Sequence, residues 1–399
     1  MSEETAIGED GLPPPLMTSE PGSFARSTIV ERKPEIIRRA VADNAYPPEI
    51  VVALHALADE IATRPVQPLP ESAGDAPLWN AELAAYAGRA WLELPWYLAE
   101  TFFYRRLLAA VRYLEPGPWQ GHDPFGLQKR QEERRAVERL APGWAELESL
   151  APGARFEALL HACLWGNRAD LSNYTVAAQA QVGLATEAER HLILVDHTDD
   201  VRALLARGAR RVDFVNDNTG MDLLLDLALA DDLLGRGWAR EVVFHLKDRP
   251  FFVSDAMPAD ARGLVALLSA SPGAGLRGLG ERLEAHLAAG RLALRDDPFW
   301  SSCLMYRRLP AGLRAELERA DLVVLKGDVN YRRLLDDRHW PPAAPLEVAA
   351  DGFPRPFVAL RTLKGELIAG LQPGQAEVLA AESPDWLIDG RRGVIHLVR

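Results

Sequence analysis

The residues most able to do chemistry form the stretch Asp217-Asn218-Thr219-Gly220. This stretch follows a β-rich run at residues 211–216 and precedes a helical run that begins at Met221. Ligands bind at the carboxyl ends of the strands in open α/β sheets, and a carboxylate beside an amide carbonyl suits Mg²⁺ or Mn²⁺ better than zinc. Because Asp, Asn and Thr are also common N-cap residues, the stretch taken alone is better explained as a helix cap.

A second carboxylate, Asp255, stands about one strand–helix–strand unit after Asp217. Two adjacent parallel strands would therefore bring Asp217, Asn218 and Asp255 to one edge of the sheet. Three oxygen donors from two strand ends can hold one divalent ion and leave positions for water and substrate. The alternative for Asp255 is again a helix cap, because Met257 and Pro258 could open the next helix.

Polar residues also end the buried run at residues 321–325, where Lys326, Gly327, Asp328 and Asn330 follow. A glycine would let the backbone approach a ligand closely, and the N-terminus of the following helix could receive an anion. An ordinary turn between a strand and a helix, capped by Asp328, explains the same residues equally well.

Two more polar residues lie near these strand ends. Lys364 follows an apolar run at residues 357–360 and could reach a phosphate, or it is a solvated strand end. Asp222 lies one helical turn after Asn218 on the same face, or it complements the helix dipole. Each residue is a weak signal alone, but acids, an amide and lysines at successive strand ends are hard to obtain from capping alone.

The elements that would position these residues are strands alternating with helices in the second half of the chain. This alternation predicts a mostly parallel sheet, hence an α/β fold class. The helix expected at residues 221–234 is apolar on nearly all sides and should pack deep against the sheet. The β-rich runs are residues 191–195, 212–215, 242–246, 292–294 and 322–325.

The first half of the chain has helical periodicity, with apolar residues three and four positions apart. We therefore expect a flexible tail at residues 1–25, which are rich in Glu, Gly and Pro, a helical domain at residues 26–165 and a catalytic α/β domain at residues 166–399. The residues that carry the helical pattern include Ile36, Ile37, Ala40, Val41, Ile50, Leu54, Leu57 and Ile61.

Composition narrows the class of protein. The chain has 399 residues with a net charge of −12, which argues against a nucleic-acid partner because no basic excess exists to neutralise phosphates. It has no long apolar run that predicts a membrane span and no secretory signal pattern at its start. Cys163 and Cys303 are its only cysteines, which fits a reducing compartment. We expect a cytoplasmic enzyme or binding protein.

Several segments of the chain resemble the damage-control phosphatase family, also catalogued as domain-of-unknown-function family 89. The last of them is similar to the Arg-Thr-x-Lys signature of the branch that includes a human protein described as an acidic-residue methyltransferase. The segments are Gly22-Ser23-Phe24-Ala25 with Thr28, Trp165-Gly166-Asn167, Asp170-Leu171-Ser172, Asp217-Asn218-Thr219-Gly220-Met221-Asp222, Phe252-Val253-Ser254-Asp255, Lys326-Gly327-Asp328-Val329-Asn330-Tyr331-Arg332 and Arg361-Thr362-Leu363-Lys364.

The resemblance implies a helical N-terminal domain on an α/β/α core, and a phosphatase that uses a divalent metal, Mn²⁺ or also Mg²⁺, Co²⁺ or Ni²⁺. Its substrates would be small phosphorylated metabolites, such as fructose 1-phosphate or fructose 6-phosphate. One departure is Asp222, where the family usually has Glu after an aromatic residue. The family's metal ligands fall on Asp217, Asn218 and Asp255, and its substrate contacts fall on Asp222, Asp328, Asn330, Tyr331, Arg332 and Lys364.

Phosphoryl transfer needs positioning and electrostatic stabilisation more than covalent chemistry. We expect the ion to contact a phosphate oxygen, Lys326 or Lys364 to hold the remaining oxygens, and Asn330 and Arg332 to orient them. The attacking group is either a water polarised by the ion or the carboxylate of Asp217, which would form an aspartyl-phosphate.

Two other functions remain as alternatives. The first is an S-adenosylmethionine-dependent methyltransferase that acts on acidic side chains. The sequence lacks the glycine-rich loop, with an acid about 20 residues later, that holds a nucleoside in such folds. The second alternative is a binding module without catalysis, in which the aspartates only cap helices. Metal-dependent turnover would distinguish the enzyme from this module.

Overall fold

The computed structural model describes residues 11–166 and 187–399. The predicted helical pattern of the first half is confirmed, because Ile36, Ile50 and Leu54 are buried on the inner faces of their helices. A π-helical turn, Thr28–Arg32, joins the first two helices. The helices are α1 Phe24–Ser27, α2 Lys33–Asp43, α3 Pro48–Thr63, α4 Ala76–Leu83, α5 Trp96–Ala110, α6 Gly126–Ser149 and α7 Pro152–Gly166.

The described part of the expected tail packs against the rest of the protein. Leu16 is 2% exposed, and its backbone N–H donates to the carbonyl oxygen of Asp337 at 2.8 Å. Its own carbonyl oxygen accepts from the backbone N–H of Trp96 at 2.8 Å. Helices α6 and α7 share a hydrophobic core with the sheet through Trp144 and Phe156. The division into domains at residues 165 and 166 stays a prediction.

The described strands form one seven-stranded sheet in the order β1-β7-β6-β5-β2-β3-β4. Strands β2 to β6 are parallel, whereas β7 is antiparallel to β6 and β1 is parallel to β7. The prediction of a mostly parallel sheet is confirmed, and β7 is an addition that the sequence did not predict. The strands are β1 Ile193–Asp196, β2 Ala209–Val215, β3 Ala239–Lys247, β4 Leu292–Asp297, β5 Leu322–Lys326, β6 Phe357–Thr362 and β7 Gly393–Val398.

Helices cover both faces of this sheet and make an α/β/α sandwich. Phe214 of β2 packs in one hydrophobic core, and the next residue, Val215, packs in the other, as the alternation of side chains along a strand requires. The remaining helices are α8 Thr198–Leu205, α9 Met221–Gly235, α10 Pro258–Ser269, α11 Ala274–Ala288, α12 Ala311–Leu317, α13 Gly327–Leu334, α14 Leu346–Ala349 and α15 Gln375–Glu382. Short 3-10 turns lie at Ala84–Tyr86, Trp91–Glu93, Glu187–Leu192, Pro298–Ser301 and Tyr306–Arg308.

The position of β2 explains where a ligand can bind. Helix α9 leads from β2 to β3 on one side, whereas β5 pairs with β2 on its other side. The chain therefore changes direction between β2 and β5, and crevices form at the carboxyl ends of strands at such a switch point. Helix α9 is buried on all sides, as its composition predicts, with Leu223, Leu224 and Leu227 inaccessible to solvent.

Strand β7 also carries a buried histidine, His396, from which we predict a dependence of stability on pH. His396 is 8% exposed, and its ring lies 5.2 Å from that of His197. Burial, with a contribution from His197, lowers the pKa of His396 to about 4. The folded state thus favours the neutral imidazole. The stability that depends on this preference is complete above the unfolded pKa of about 6.5 and is lost as the pH falls through it towards 4.

We expect wild-type protein to lose about 2 kcal/mol of unfolding free energy between pH 7 and pH 5 from this residue. The variant His396→Gln should lack that component of the pH dependence. Denaturant unfolding at both pH values measures the difference, and His55→Gln, on the exposed face of α3, controls for loss of an imidazole. Equal pH dependence in wild type and His396→Gln would contradict the prediction.

Candidate active site

The residues that follow β2 and β3 meet at the edge of the sheet, as the strand argument predicts. Asn218 and Asp255 form an isolated antiparallel β-bridge. The backbone N–H of Ala256 donates to the carbonyl oxygen of Asp217 at 2.8 Å, and that of Thr219 donates to the carbonyl oxygen of Ser254 at 2.7 Å. The ends of two strands therefore bring the backbones of Asp217, Asn218 and Asp255 together.

Hydrogen bonds orient the amide of Asn218 within this group. Its Nδ2 donates to Asp217 Oδ2 at 3.0 Å and points towards Asp222 Oδ2 at 3.4 Å. Its Oδ1 accepts from the Ser254 hydroxyl at 2.7 Å. Because an amide oxygen has two lone pairs, the bond from Ser254 leaves one for a cation.

The carboxylate of Asp217 lies directly against the backbone at Gly327, the first residue of α13. A Cβ atom at Gly327 would overlap Asp217 Oδ2, and Gly327 has φ +81°. Only glycine meets both conditions, because a Cβ atom is unfavourable at positive φ. The expected close approach at Gly327 is therefore present, and the group that it admits is the carboxylate of Asp217.

The loop before Asp255 has an unusual backbone. Phe252 and Val253 have φ +43° and +65°, and a β-branched residue in this region is a genuine outlier. Packing holds the loop in place, because the Phe252 ring lies 5.0 Å from that of Tyr104. At the end of the loop, Asp255 is fully buried, and Lys247 Nζ lies 3.3 Å from its Oδ2. Lys247 ends β3 and is a site residue that the predicted set lacks.

Lys326 does not line the cavity, contrary to the expectation that it holds a phosphate. Its ammonium lies 2.9 Å from Asp222 Oδ1 and 2.8 Å from Asp226 Oδ1, and it donates to the carbonyl oxygen of Cys163 at 2.5 Å. An ammonium has three donors, so none is left for a substrate in this arrangement. The physical reason is the direction of the side chain, which leaves β5 towards α9.

The charges around Lys326 hold each other in place. Burial alone lowers the pKa of Lys326, but the nearby carboxylates of Asp222 and Asp226 raise it above its ordinary value. Burial raises the pKa of Asp226 to about 6, although Lys326 opposes this shift. Asp222 also lies beside the Asn218 amide. This cluster therefore lies next to the Asp217–Asn218–Asp255 group and supports it through the contact of Asp222 with the Asn218 amide.

Asn330 and Tyr331 also support the site without lining it. Asn330 Nδ2 donates to the carbonyl oxygens of Asn216 at 3.1 Å and Lys326 at 2.9 Å, and its Oδ1 accepts from Tyr306 at 2.8 Å. The Tyr331 hydroxyl donates to the carbonyl oxygen of Ala369 at 3.2 Å. Both side chains thus connect the start of α13 to neighbouring backbone, which differs from their expected contact with substrate.

A cavity of about 40 Å³ opens beside Asp217. Four of the predicted site residues line it, namely Asp217, Asp328, Arg332 and Lys364. The sequence did not predict that the N-terminal helices form much of its wall. The similarity of residues 22–28 to family segments was the only signal for this. The other lining residues are Phe24, Thr28, Arg32, Lys33, Ile36, Trp96, Glu100, Tyr104, Phe252 and Val329.

Ion pairs join the helical wall to the α/β layer. Glu100 of α5 lies 2.7 Å from Lys33 Nζ and 2.6 Å from Arg332 NH1, and Arg332 Nε lies 2.7 Å from Asp337 Oδ1. Burial alone would raise the pKa of Glu100, but Lys33 and Arg332 outweigh it and hold that pKa at about 2. The guanidinium of Arg332 also lies 3.3 Å over the Trp96 ring centroid. Arg332 is therefore fixed in the cavity wall.

The Asp217–Asn218–Asp255 group could hold a divalent cation. Among residues 11–166 and 187–399, no set of three or more His, Cys, Asp or Glu side chains is arranged as a metal site. The group differs from such a set because its third donor is an amide. Hard oxygen donors of this kind suit Mg²⁺ and Mn²⁺, which keep several positions for water or substrate oxygens. Asn167 and Asp170-Leu171-Ser172 lie outside the described residues.

The comparisons with known proteins agree on one family. A model described as the damage-control phosphatase ARMT1-like domain matches residues 28–379. Damage-control phosphatase ARMT1 of Mus musculus is 32% identical over 431 residues, which cover 96% of this chain and 97% of the relative. The Homo sapiens relative of the same name is 31% identical over 435 residues, with coverages of 96% and 98%.

The fold is also found in a solved structure. A duf89 family protein from Pyrococcus horikoshii superposes with a TM-score of 0.50 at 15% identity, covering 94% of this chain and 98% of that one. The fold and site together define an α/β/α enzyme with buried acidic residues at the carboxyl ends of its parallel strands. The chain belongs to the damage-control phosphatase family. It is a phosphatase that acts in metabolite damage control. No helix in its described part is long and apolar enough to cross a membrane.

The contact at Gly327 predicts how two glycine substitutions differ. Gly327 and Gly374 have φ +81° and +83°, but only a Cβ at Gly327 would meet other atoms within 4 Å. We expect Gly374→Ala to cost about 1 kcal/mol of unfolding free energy, from backbone strain alone. Gly327→Ala should cost more and should also reduce phosphatase activity, because it displaces Asp217. Thermal unfolding and phosphate release measure both effects, and equal losses in the two variants would contradict the interpretation.

The buried position of Lys326 predicts a large loss of stability when its charge is removed. Lys326→Met would leave the carboxylates of Asp222 and Asp226 buried without their cation, so we expect a loss of about 3–5 kcal/mol. The double variant Lys326→Met with Asp226→Asn removes one of those carboxylates and should recover part of the loss. Denaturant unfolding of both variants checks this, and a double variant less stable than Lys326→Met would be inconsistent with the ion-pair explanation.

Proposed function

We propose that this phosphatase depends on a divalent metal, held by Asp217, Asn218 and Asp255, and hydrolyses sugar phosphates such as fructose 1-phosphate or fructose 6-phosphate. The observation that supports the metal site is the β-bridge between Asn218 and Asp255, together with the hydrogen bond from Asn218 Nδ2 to Asp217 Oδ2 at 3.0 Å. Mn²⁺ is the first candidate, followed by Mg²⁺, Co²⁺ and Ni²⁺. All four ions accept oxygen ligands.

The burial of the three ligands supports the same site. Asp255 is fully buried and Asp217 is 3% exposed, and buried carboxylates are stable when they are paired with cations or coordinate metals. Lys247 supplies one positive charge at Asp255. When bound, a divalent ion would offset the negative charge of the phosphate and polarise it.

The remaining residues would bind and orient the substrate. Lys364 lines the cavity at the end of β6 and would contact phosphate oxygens as a point charge. Asp328 also lines the cavity, where its Oδ1 accepts from Arg361 Nε at 2.8 Å. Its carboxylate and that of Glu100 would accept hydrogen bonds from sugar hydroxyls. A wall that combines cations with carboxylates suits a molecule with both a phosphate and hydroxyls.

The supporting residues would keep this geometry constant during the reaction. Asp222 would act through the Asn218 amide, and Lys326, Asn330 and Tyr331 through the backbone and carboxylates that they contact. Arg332, whose donors reach Glu100 and Asp337, would contribute its positive charge to the cavity. A cytoplasmic location is part of the same proposal, because both Cys163 and Cys303 are free thiols.

The experiment is phosphate release from a panel of sugar phosphates, with and without each of the four metals. We expect activity that a chelator abolishes, and a loss of about 100-fold or more in Asp217→Asn and Asp255→Asn. These replacements keep the size of the side chain, so folding should be retained. Asp199→Ala is the control, because Asp199 is 81% exposed and follows β1, whose direction is opposite to that of the strands that carry the site.

Calorimetric titration with Mn²⁺ separates binding from turnover. The two site variants should lose Mn²⁺ affinity, whereas Asp199→Ala should bind as wild type does. Chelator-resistant phosphate release, or unchanged Mn²⁺ affinity in both site variants, would overturn the assignment of the metal ligands. No release from any sugar phosphate, with release from another class of phosphate ester, would overturn the substrate class alone.

A further inference from the structure

The N-terminal segment that begins at Ser23 is fixed against the residues that follow β6, near Lys364. The backbone N–H groups of Phe24 and Ala25 donate to the Glu366 carboxylate at 3.0 and 3.3 Å. Trp96 Nε1 donates to the Thr28 hydroxyl at 2.8 Å. Glu366 stands two residues after Lys364. The contact that fixes this segment therefore lies next to the proposed phosphate-binding residue.

Arg32 is the last residue of the π-helical turn in this segment. Its guanidinium lies 4.6 Å over the ring centroid of Phe24, and the residue lines the same cavity as Asp217 and Lys364. A cation–π contact of this kind restrains the position of the guanidinium, whose fork of N–H donors suits a pair of oxygen acceptors.

The basic side chains of the cavity wall differ in whether they form an ion pair with a carboxylate. Lys33 is paired with Glu100, and Arg332 is paired with both Glu100 and Asp337. Arg32, in contrast, has no carboxylate within 4.0 Å among residues 11–166 and 187–399, and its guanidinium makes no hydrogen bond to them. Its donors are therefore available to an anion that enters the cavity.

We propose that Arg32 binds the phosphoryl oxygens of the substrate from the helical wall of the cavity. This inference rests on the proposed function, because it requires a phosphate ester beside Asp217. A guanidinium and a phosphate form two parallel charge-assisted hydrogen bonds, which a lysine in the same place would not reproduce. The helical part of the chain thus supplies a catalytic residue, in addition to its packing.

The test compares Arg32→Ala, Arg32→Lys and Arg32→Met with wild type and with Arg38→Ala. Arg38 is the matched control, because it lies on the neighbouring helix α2 and pairs with Glu35 on the surface. Arg32→Met keeps the apolar stem against Phe24, so it tests the charge even when Arg32→Ala is poorly folded. The readouts are kcat and KM, the inhibition constant of inorganic phosphate, and the Mn²⁺ affinity.

We expect KM for the phosphate ester and the inhibition constant of phosphate to rise about 10- to 100-fold in Arg32→Ala and Arg32→Met. Arg32→Lys should retain part of the affinity, and added guanidinium ion should partly restore Arg32→Ala. Arg38→Ala should match wild type in all readouts, and Mn²⁺ affinity should be unchanged throughout.

Calorimetric titration of the Mn²⁺-loaded protein with inorganic phosphate measures the phosphate affinity independently of turnover. Unchanged phosphate affinity in folded Arg32→Met, or equal effects of Arg32→Met and Arg38→Ala, would overturn the proposal. Failure of the proposed function is distinguishable, because it appears as a loss of sugar-phosphate turnover or Mn²⁺ binding in the wild-type protein itself.

Discussion

The active end of this protein depends on one close approach, that of the Asp217 carboxylate to the backbone at Gly327. Asp217 follows β2 and Gly327 follows β5, and these two strands are neighbours in the sheet. Because Gly327 has no side chain, both strand ends can close on each other with a buried carboxylate between them. The bridge from Asn218 to Asp255 extends the same arrangement to β3. Strand pairing, which is rigid, thus sets the geometry of the candidate metal ligands.

Buried charge is the second constraint, because an unpaired charge inside a protein is costly. Two networks of ion pairs neutralise the buried charges. One lies behind the candidate metal ligands, where Lys326 joins Asp222 and Asp226. The other lies in the cavity wall, where Glu100 joins Lys33 to Arg332. Several basic side chains that a sequence suggests as phosphate ligands therefore serve first to balance carboxylates, and this leaves few cations for substrate.

The helical part of the chain does more than cover the sheet. Its packing against the strained loop at Phe252 and Val253 holds the segment that ends in Asp255. Its N-terminal segment, which Glu366 holds at Phe24, brings Arg32 to the cavity. The candidate site is therefore a product of both parts of the chain, and a catalytic function assigned to the α/β layer alone would omit one wall of the cavity.

The sequence by itself determined the helical first half, most of the strands and the polar residues at the strand ends. Apolar runs such as residues 322–325 must be buried on both faces, which only a covered parallel sheet provides. Residues near the chain end offered a weaker signal, and β7 was not predicted. Tertiary structure alone decided the strand order, which local spacing does not encode. It also decided the direction of Lys326, because a side chain at a strand end can face the cavity or a neighbouring helix. The place of Arg32 required the whole fold, since its cavity neighbours meet only after segments distant in sequence have packed together.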